Sequence, residues 1–149
     1  MRAVVQRVVD CSITVDGETV GAVERGVLVY LGITADDGAR EITHVAGKVA
    51  NLRIFEDENG VMNRSLLDTG GAACVVSQFT LYGDTRKGRR PSYNRAARPE
   101  AAVPVYESFV EELRRMGLEV ATGVFQARMQ VRYTNDGPVT ILIDSEKNF

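Results

Sequence analysis

Apolar positions in this chain cluster into short β-branched runs, interrupted twice by stripes with the period of a helix. Residues 2–9 and 11–15 read as strands, and Asp16-Gly17 marks a hairpin turn into a return arm over 18–23. Residues 26–33 are almost continuously apolar, as expected of a central strand buried on both faces. Ile42, Val45, Ala46, Val49 and Leu52 then share one helical face, with Asp36 or Asp37 available as the cap. Residues 52–55 and 61–66 read as the arms of a hairpin around Asn59-Gly60, and 72–76 as a buried strand. A second helical stripe, Val105, Phe109, Leu113 and Met116, follows Pro99 and ends at Gly117. Residues 118–124, 127–133 and 139–143 close the chain as strands. The segment Thr134-Asn135-Asp136-Gly137-Pro138 has the composition of a turn. Two helices cannot cover both faces of so much sheet. The pattern therefore predicts a single α+β domain over 1–149, with mostly antiparallel sheets, two main helices and layers of sheet on sheet. A homodimer burying a remaining sheet face is the other arrangement it allows.

Composition narrows this picture. At 149 residues the chain is long enough for one substantial core, and no run reaches the roughly 18 apolar residues of a membrane span. The first residues enter a strand at once, without the layout of a signal peptide. Cys11 and Cys74 lie in apolar runs without metal-ligand spacing and read as reduced core residues of a cytoplasmic protein. The acidic run around Asp57 lacks the spacing of a calcium loop. His44, the single histidine, falls off the apolar stripe of its helix and excludes any mechanism needing two imidazoles. Neither a metal site nor a cofactor is indicated. A net charge of −2 gives no global sign of a nucleic-acid binder, so any basic surface must be local.

Two adjacent stretches carry candidate chemistry. Ser77, Gln78, Phe79 and Thr80 follow the buried strand 72–76 directly. Hydroxyls and an amide there need partners unless they face a site at the strand end. With free backbone N–H groups they are enough to hold an ester and stabilise an oxyanion, although a polar strand terminus entering a turn has the same composition. Residues 83–98 then hold six of the eighteen Lys and Arg residues, among them Lys87, Arg89 and Arg90, with no acid between Asp84 and Glu100. Such a loop suits a phosphate-bearing ligand, and Tyr93 could stack on a base; the alternative is a solvated charge run.

Three motifs together resemble one family. Ser77-Gln78-Phe79-Thr80-Leu81, Lys87-Gly88-Arg89-Arg90-Pro91-Ser92 and Asn135-Asp136-Gly137-Pro138-Val139-Thr140 are similar to signatures of the D-aminoacyl-tRNA deacylases of the D-Tyr-tRNA deacylase type. The likeness runs from Met1 to about Asp144. It implies a layered β/β/α fold and a homodimeric cytoplasmic hydrolase. Its substrate would be the ester between a D-amino acid, or glycine, and the 3′-terminal adenosine of tRNA. Ser77 to Thr80 would line the reaction centre, and Phe125 and Met129 would flank the adenine. Gly137 and Pro138, joined by a cis bond and braced by Arg7, would reach into the partner's site and exclude L side chains. By composition alone a trans bond is expected, since only about 5–6% of X–Pro bonds in folded proteins are cis. Where the family usually shows glycine, this chain has Gln126. Neither Thr80 nor any neighbour supplies an obvious nucleophile–base pair, which favours oxyanion stabilisation by backbone N–H groups with help from the tRNA 2′-hydroxyl. A tRNA-binding domain without catalysis and a Thr80-dependent amino-acid esterase are the rival readings.

Overall fold

The computed structural model describes residues 1–149. Strands β1 (Arg2–Val15) and β2 (Glu18–Gly32) form one long antiparallel hairpin, turning at Asp16-Gly17. Each unites two of the expected strands. The reason is visible at Asp10, whose φ of 53° marks a bulge where Val9 faces Thr134 but Ser12 faces Arg132. The bulge shifts the alternation by one residue, so Val8 and Cys11, three apart, enter the same apolar cluster.

After β2 come α1 (Ala39–Asn51), a small hairpin of β3 (Phe55–Glu56) and β4 (Met62–Arg64), and a one-turn helix α2 (Leu66–Thr69). Then follow β5 (Ala72–Ser77), a 3-10 turn at Phe79–Tyr82, α3 (Pro99–Arg115), β6 (Val120–Thr122) and β7 (Met129–Asp144). Five of the strands make one sheet in the order β6-β5-β2-β1-β7. Within it β1 pairs antiparallel with β2 and β7, while β5 runs parallel to both β2 and β6. Antiparallel pairs predominate, as expected, but the main sheet is mixed rather than antiparallel throughout. Parallel neighbours need long crossovers, and the segments containing α1 and α3 are those crossovers.

Local chemistry accounts for the other departures. Asp37 does not cap α1: its carboxylate receives the Met1 amine and the Thr34 N–H. Glu41 instead reaches back to the Gly38 N–H at 3.1 Å. Leu52 closes α1 rather than starting a strand, its N–H bonded to the Lys48 carbonyl. The unexpected α2 is capped by Ser65, whose hydroxyl accepts from the Asp68 N–H while the Asp68 carboxylate accepts from the Ser65 N–H.

The main core lies between one sheet face and the helices. It joins Ala3, Val5, Val27, Val29 and Leu31 to Val45, Val49, Phe109 and Leu113. A second, smaller core occupies the other face, with Leu28, Cys74 and Val76 packed against Val8, Cys11 and Ile13. Both cysteines are free and buried there. The sheet curls to make this second core. Positions that a Cβ would occupy on Gly21 and Gly123 lie 2.6 Å from the Thr122 carbonyl and 3.6 Å from Ile13 Cδ1, so the far end of the hairpin folds over β6. Sheet-on-sheet layering thus arises within one continuous sheet. No helix is long and apolar enough to cross a membrane.

The expected turn at 134–138 lies inside β7. Gln6 faces Thr140 and Val8 faces Asn135, so two steps along β1 oppose five along β7. The surplus residues bulge out, with a cis bond between Gly137 and Pro138.

Candidate active site

The end of β5 and the 3-10 turn set the geometry of the candidate site. Gln78 N–H bonds to the Leu31 carbonyl at 2.8 Å, which holds the strand end against β2. Tyr82 is buried beneath the turn, with the Arg2 guanidinium 4.6 Å and the Arg95 guanidinium 5.6 Å from its ring centre. Anchoring the turn at Tyr82 leaves Phe79 and Thr80 facing outward. The first N–H groups of a helical turn lack internal acceptors, and the Phe79 and Thr80 amides find none elsewhere in the chain. The Gln78 side-chain amide donates to the Thr80 hydroxyl.

These groups border a cleft of about 660 Å³. Ser77, Gln78 and Phe79 form one wall; Phe125, Gln126, Ala127 and Met129 form the opposite one. Tyr93 stands edge-on to Phe79, with ring centroids 5.1 Å apart and planes at 73°. Phe125 is held by the Tyr106 ring at 6.1 Å, and Tyr106 is fixed by its hydroxyl bond to the Val75 carbonyl at 2.8 Å. Residues 96–98 close a third side, tied down by the bond from Ala97 N–H to the Ile33 carbonyl at 2.8 Å.

The lining is mostly apolar, and its one charged residue is Arg98. No carboxylate, imidazole or thiol lines the cleft. Asp84, the acid nearest to Thr80 in sequence, is bound by Arg86, whose hydrogen bonds hold its carboxyl far below the usual range. That makes it a poor base. No group of three His, Cys, Asp or Glu side chains is placed to hold a metal ion. A flat, apolar ligand with a polar edge toward Ser77 and the free amides fits this arrangement.

The residues expected at the site separate into three places. Ser77, Gln78, Phe79, Phe125 and Met129 come together in the cleft, and Thr80 sits beside it on the turn. Lys87, Arg89 and Arg90 are exposed at the tip of the loop that the Asp84–Ser92 bridge closes, outside the cleft lining. Gly137, Pro138 and Arg7 form a separate group at the β7 bulge. There the buried Arg7 donates to the Ile54 carbonyl at 2.7 Å and to the Asp136 carbonyl at 3.2 Å, and pairs with the Asp136 carboxylate at 3.1 Å. Asn135 spans the base of the bulge through the Arg7 and Val139 carbonyls. His44 lines a different groove on α1. Arg98 does not stand out in the sequence; its one signal is its place as the last cation before Pro99, where the basic loop turns into a helix.

Gln126 explains the oddity at its position. Its φ is 63°, and Ala127 N–H closes the turn onto the Val124 carbonyl at 3.2 Å. This is the left-handed conformation that glycine adopts without cost.

Comparison with known proteins supplies the family. The family model described as D-Tyr-tRNA(Tyr) deacylase matches residues 4–144. A D-aminoacyl-tRNA deacylase of Koribacter versatilis is 60% identical and one of Desulfotalea psychrophila 58% identical, each over the full length of both chains. Among solved structures, the c-Myc DNA Unwinding Element Binding Protein superposes with a TM-score of 0.92 at 44% identity, covering 97% of this chain and 99% of that one. A probable eukaryotic D-amino acid tRNA deacylase, 21% identical with a TM-score of 0.81, covers 95% of this chain and 97% of its own and shares the fold. This chain belongs to the D-Tyr-tRNA(Tyr) deacylase family.

Proposed function

We propose that this protein is a D-aminoacyl-tRNA deacylase that hydrolyses the ester between a D-amino acid and the 3′-terminal adenosine of tRNA, releasing the free amino acid. The observation that carries the reading is the cleft itself. An apolar slot between Phe79 and Phe125 meets two unpaired backbone amides, with no acid or imidazole in reach. The adenine lies against Phe125 and Met129, and the ester carbonyl sits over the Phe79–Thr80 amides. Lys87, Arg89 and Arg90 meet the phosphates that follow.

In this mechanism water attacks the ester carbonyl carbon. The oxyanion takes hydrogen bonds from the Phe79 and Thr80 N–H groups, the bond to the ribose 3′-oxygen breaks, and a proton passes to that oxygen. The neighbouring 2′-hydroxyl accepts the proton from water and relays it. An aminoacyl ester is labile, so positioning and oxyanion stabilisation are sufficient. Thr80 does not act as a nucleophile, because its only side-chain partner is the Gln78 amide, a donor and not a base.

Selectivity in this reading comes from a second subunit. In a homodimer, the bulge with Gly137 and Pro138 enters the partner's cleft, and its carbonyls grip the substrate amino group. A D side chain then points outward, while an L side chain meets the gripping backbone. Such a clash discriminates more strongly than a missing methylene, worth about 1–3 kcal/mol. Glycine, being achiral, passes, and D side chains are broadly accepted. This is chiral proofreading by exclusion.

The test is hydrolysis of matched D-Tyr-tRNA and L-Tyr-tRNA. Loss of the D ester alone, retained by Thr80→Ala, is the expected result. Equal loss of both esters would make the protein an unselective esterase. A trapped acyl-threonine would establish covalent catalysis, and survival of both esters with tightly bound tRNA would leave a binding domain.

A further inference from the structure

The solvent face of α1 carries a shallow groove floored by Gly47 and lined by Thr43, His44, Lys48, Asn51 and Arg53. No carboxylate lines it. The single ion pair of α1 joins Arg40 to Glu41 at 4.0 Å, nearer its start, which leaves the Lys48 ammonium unpaired. Arg53 is fixed through Nε to the Asn63 carbonyl at 2.8 Å, while its terminal nitrogens have no partner in the chain. Asn51 donates to the Gly47 carbonyl at 2.9 Å across the groove floor.

Gly47 is the telling residue. Glycine inside a helix is unfavourable relative to alanine. Here neither packing nor conformation requires it. A Cβ at Gly47 would meet nothing within 4 Å, and its φ lies outside the left-handed region. What the absent side chain does is open the helix backbone at the centre of a cationic depression. Close approach of a ligand to backbone is a recognised use of glycine.

We propose that this groove binds a backbone phosphodiester of the tRNA, at a place separate from the 3′-terminal cleft. The identification of the RNA rests on the proposed deacylase activity. Lys48 and Arg53 neutralise the phosphate, Thr43 and His44 donate hydrogen bonds, and Gly47 lets the phosphate oxygens come down onto the helix. The position suits an extended RNA. Helix α1 starts just beyond Ile33, whose carbonyl anchors the cleft wall at Ala97, and Gly47 lies about 12 Å along the axis from Ala39. On this proposal a tRNA with its 3′ end in the cleft also contacts the groove through its stem.

The experiment measures binding of uncharged tRNA across a salt series, for the wild type and for Lys48→Glu, Arg53→Glu and Gly47→Ala. In parallel, hydrolysis of D-tyrosyl-adenosine, which has no RNA body, reports on the cleft. Each charge reversal is expected to weaken tRNA binding by about 3- to 10-fold and to flatten the salt dependence by about 0.7–0.9 for each phosphate no longer neutralised. Hydrolysis of the short ester stays unchanged. Gly47→Ala raises the melting temperature yet weakens tRNA binding, a combination that a purely structural glycine would not produce. Unaltered binding and salt slope in folded variants would overturn the proposal. So would inorganic phosphate binding in the groove without any effect on tRNA, which would make it a small-anion site. If the wild type hydrolyses neither the short ester nor D-Tyr-tRNA, the deacylase reading fails, and tRNA binding still decides the groove.

Discussion

Gln126 holds a backbone conformation that disfavours every residue with a Cβ, at a cost of roughly 1–2 kcal/mol. Gln126→Gly is therefore expected to stabilise the protein by about 0.5–1 kcal/mol, the gain being trimmed by glycine's greater freedom in the unfolded chain. Thermal unfolding followed by circular dichroism checks this, and a lower melting temperature would mean that the Gln126 side chain holds the cleft wall through interactions that offset its strain. Arg7 acts in the opposite sense. Its guanidinium is buried and bonded to the Ile54 carbonyl and to Asp136. Arg7→Ala leaves a buried carbonyl without its donor and costs about 2 kcal/mol, more being unwarranted because the Asp136 carboxylate is partly in solvent. Arg7→Lys recovers only part of this, since an ammonium cannot reproduce the guanidinium fork. Gly137 is constrained as well: its φ is 123°, and a Cβ there would come within 2.8 Å of Val139 Cγ2 and 3.1 Å of an Arg7 nitrogen. By composition Gly137 and Pro138 read only as a turn. Their placement comes from long-range pairing with β1, which local composition does not encode.

Among the elements, the loop 83–98 and the C-terminal residues work as a pair. Arg95 forks onto Glu146 at 2.8 and 2.9 Å, Arg2 pairs with Asp144 at 3.2 Å, and Asn148 bonds to both acids. Together they tie the loop that supplies Tyr93 and residues 96–98 to the edge of the sheet. Glu146→Ala is expected to raise KM for the aminoacyl ester while leaving kcat nearly unchanged, because it loosens a wall of the cleft without touching the free amides. An equal fall in kcat would place Glu146 in the chemistry. The clasp is also sensitive to acid. Arg95 hydrogen bonds hold the Glu146 carboxyl below its ordinary range. Burial pulls Asp144 upward, but bonds from Asn148, the Glu146 N–H and Arg2 outweigh it and leave it lowered. A carboxyl with a depressed folded value stabilises fully above its unfolded value, near pH 4, and loses that contribution as pH falls through the folded value. Hydrogen-exchange protection of residues 83–98, taken relative to the intrinsic exchange rate at each pH, should therefore fall below about pH 4 in the wild type, and change much less in a variant carrying both Asp144→Asn and Glu146→Ala. At this scale the sequence was partly legible. The two long helices announced themselves by period, and the cleft wall at Ser77 to Phe79 by polar residues following a buried strand. The role of Asp144 and Glu146 was hidden, because their partners lie at Arg2 and Arg95.

For the molecule as a whole, the cleft and the β7 bulge are separate groups that the proposed function requires to make one site. The cleft gathers Ser77, Phe79, Phe125 and Met129, whereas Gly137 and Pro138 lie on β7, outside its lining. β7 is the edge of the sheet, sixteen residues long, with Leu142 exposed at 57%. A long edge strand with an exposed apolar side chain invites pairing with a second copy. In a two-fold dimer each bulge would serve the other chain's cleft, and this yields a prediction that no intrachain site can match. Phe79→Ala disables the cleft and Gly137→Ala disables the bulge, so each variant alone is inactive on D-Tyr-tRNA. Unfolded, mixed in equal amounts and refolded together, half of the dimers are mixed. Each mixed dimer holds one site with an intact cleft and an intact partner bulge. Activity should return to roughly a quarter of the wild-type level, as random assortment of a two-fold dimer requires. If cleft and bulge acted within one chain, mixing would restore nothing, because every chain carries one defect. Recovery on mixing would also show why the chain's own cleft ends in backbone amides without a selective wall: the wall comes from the other subunit.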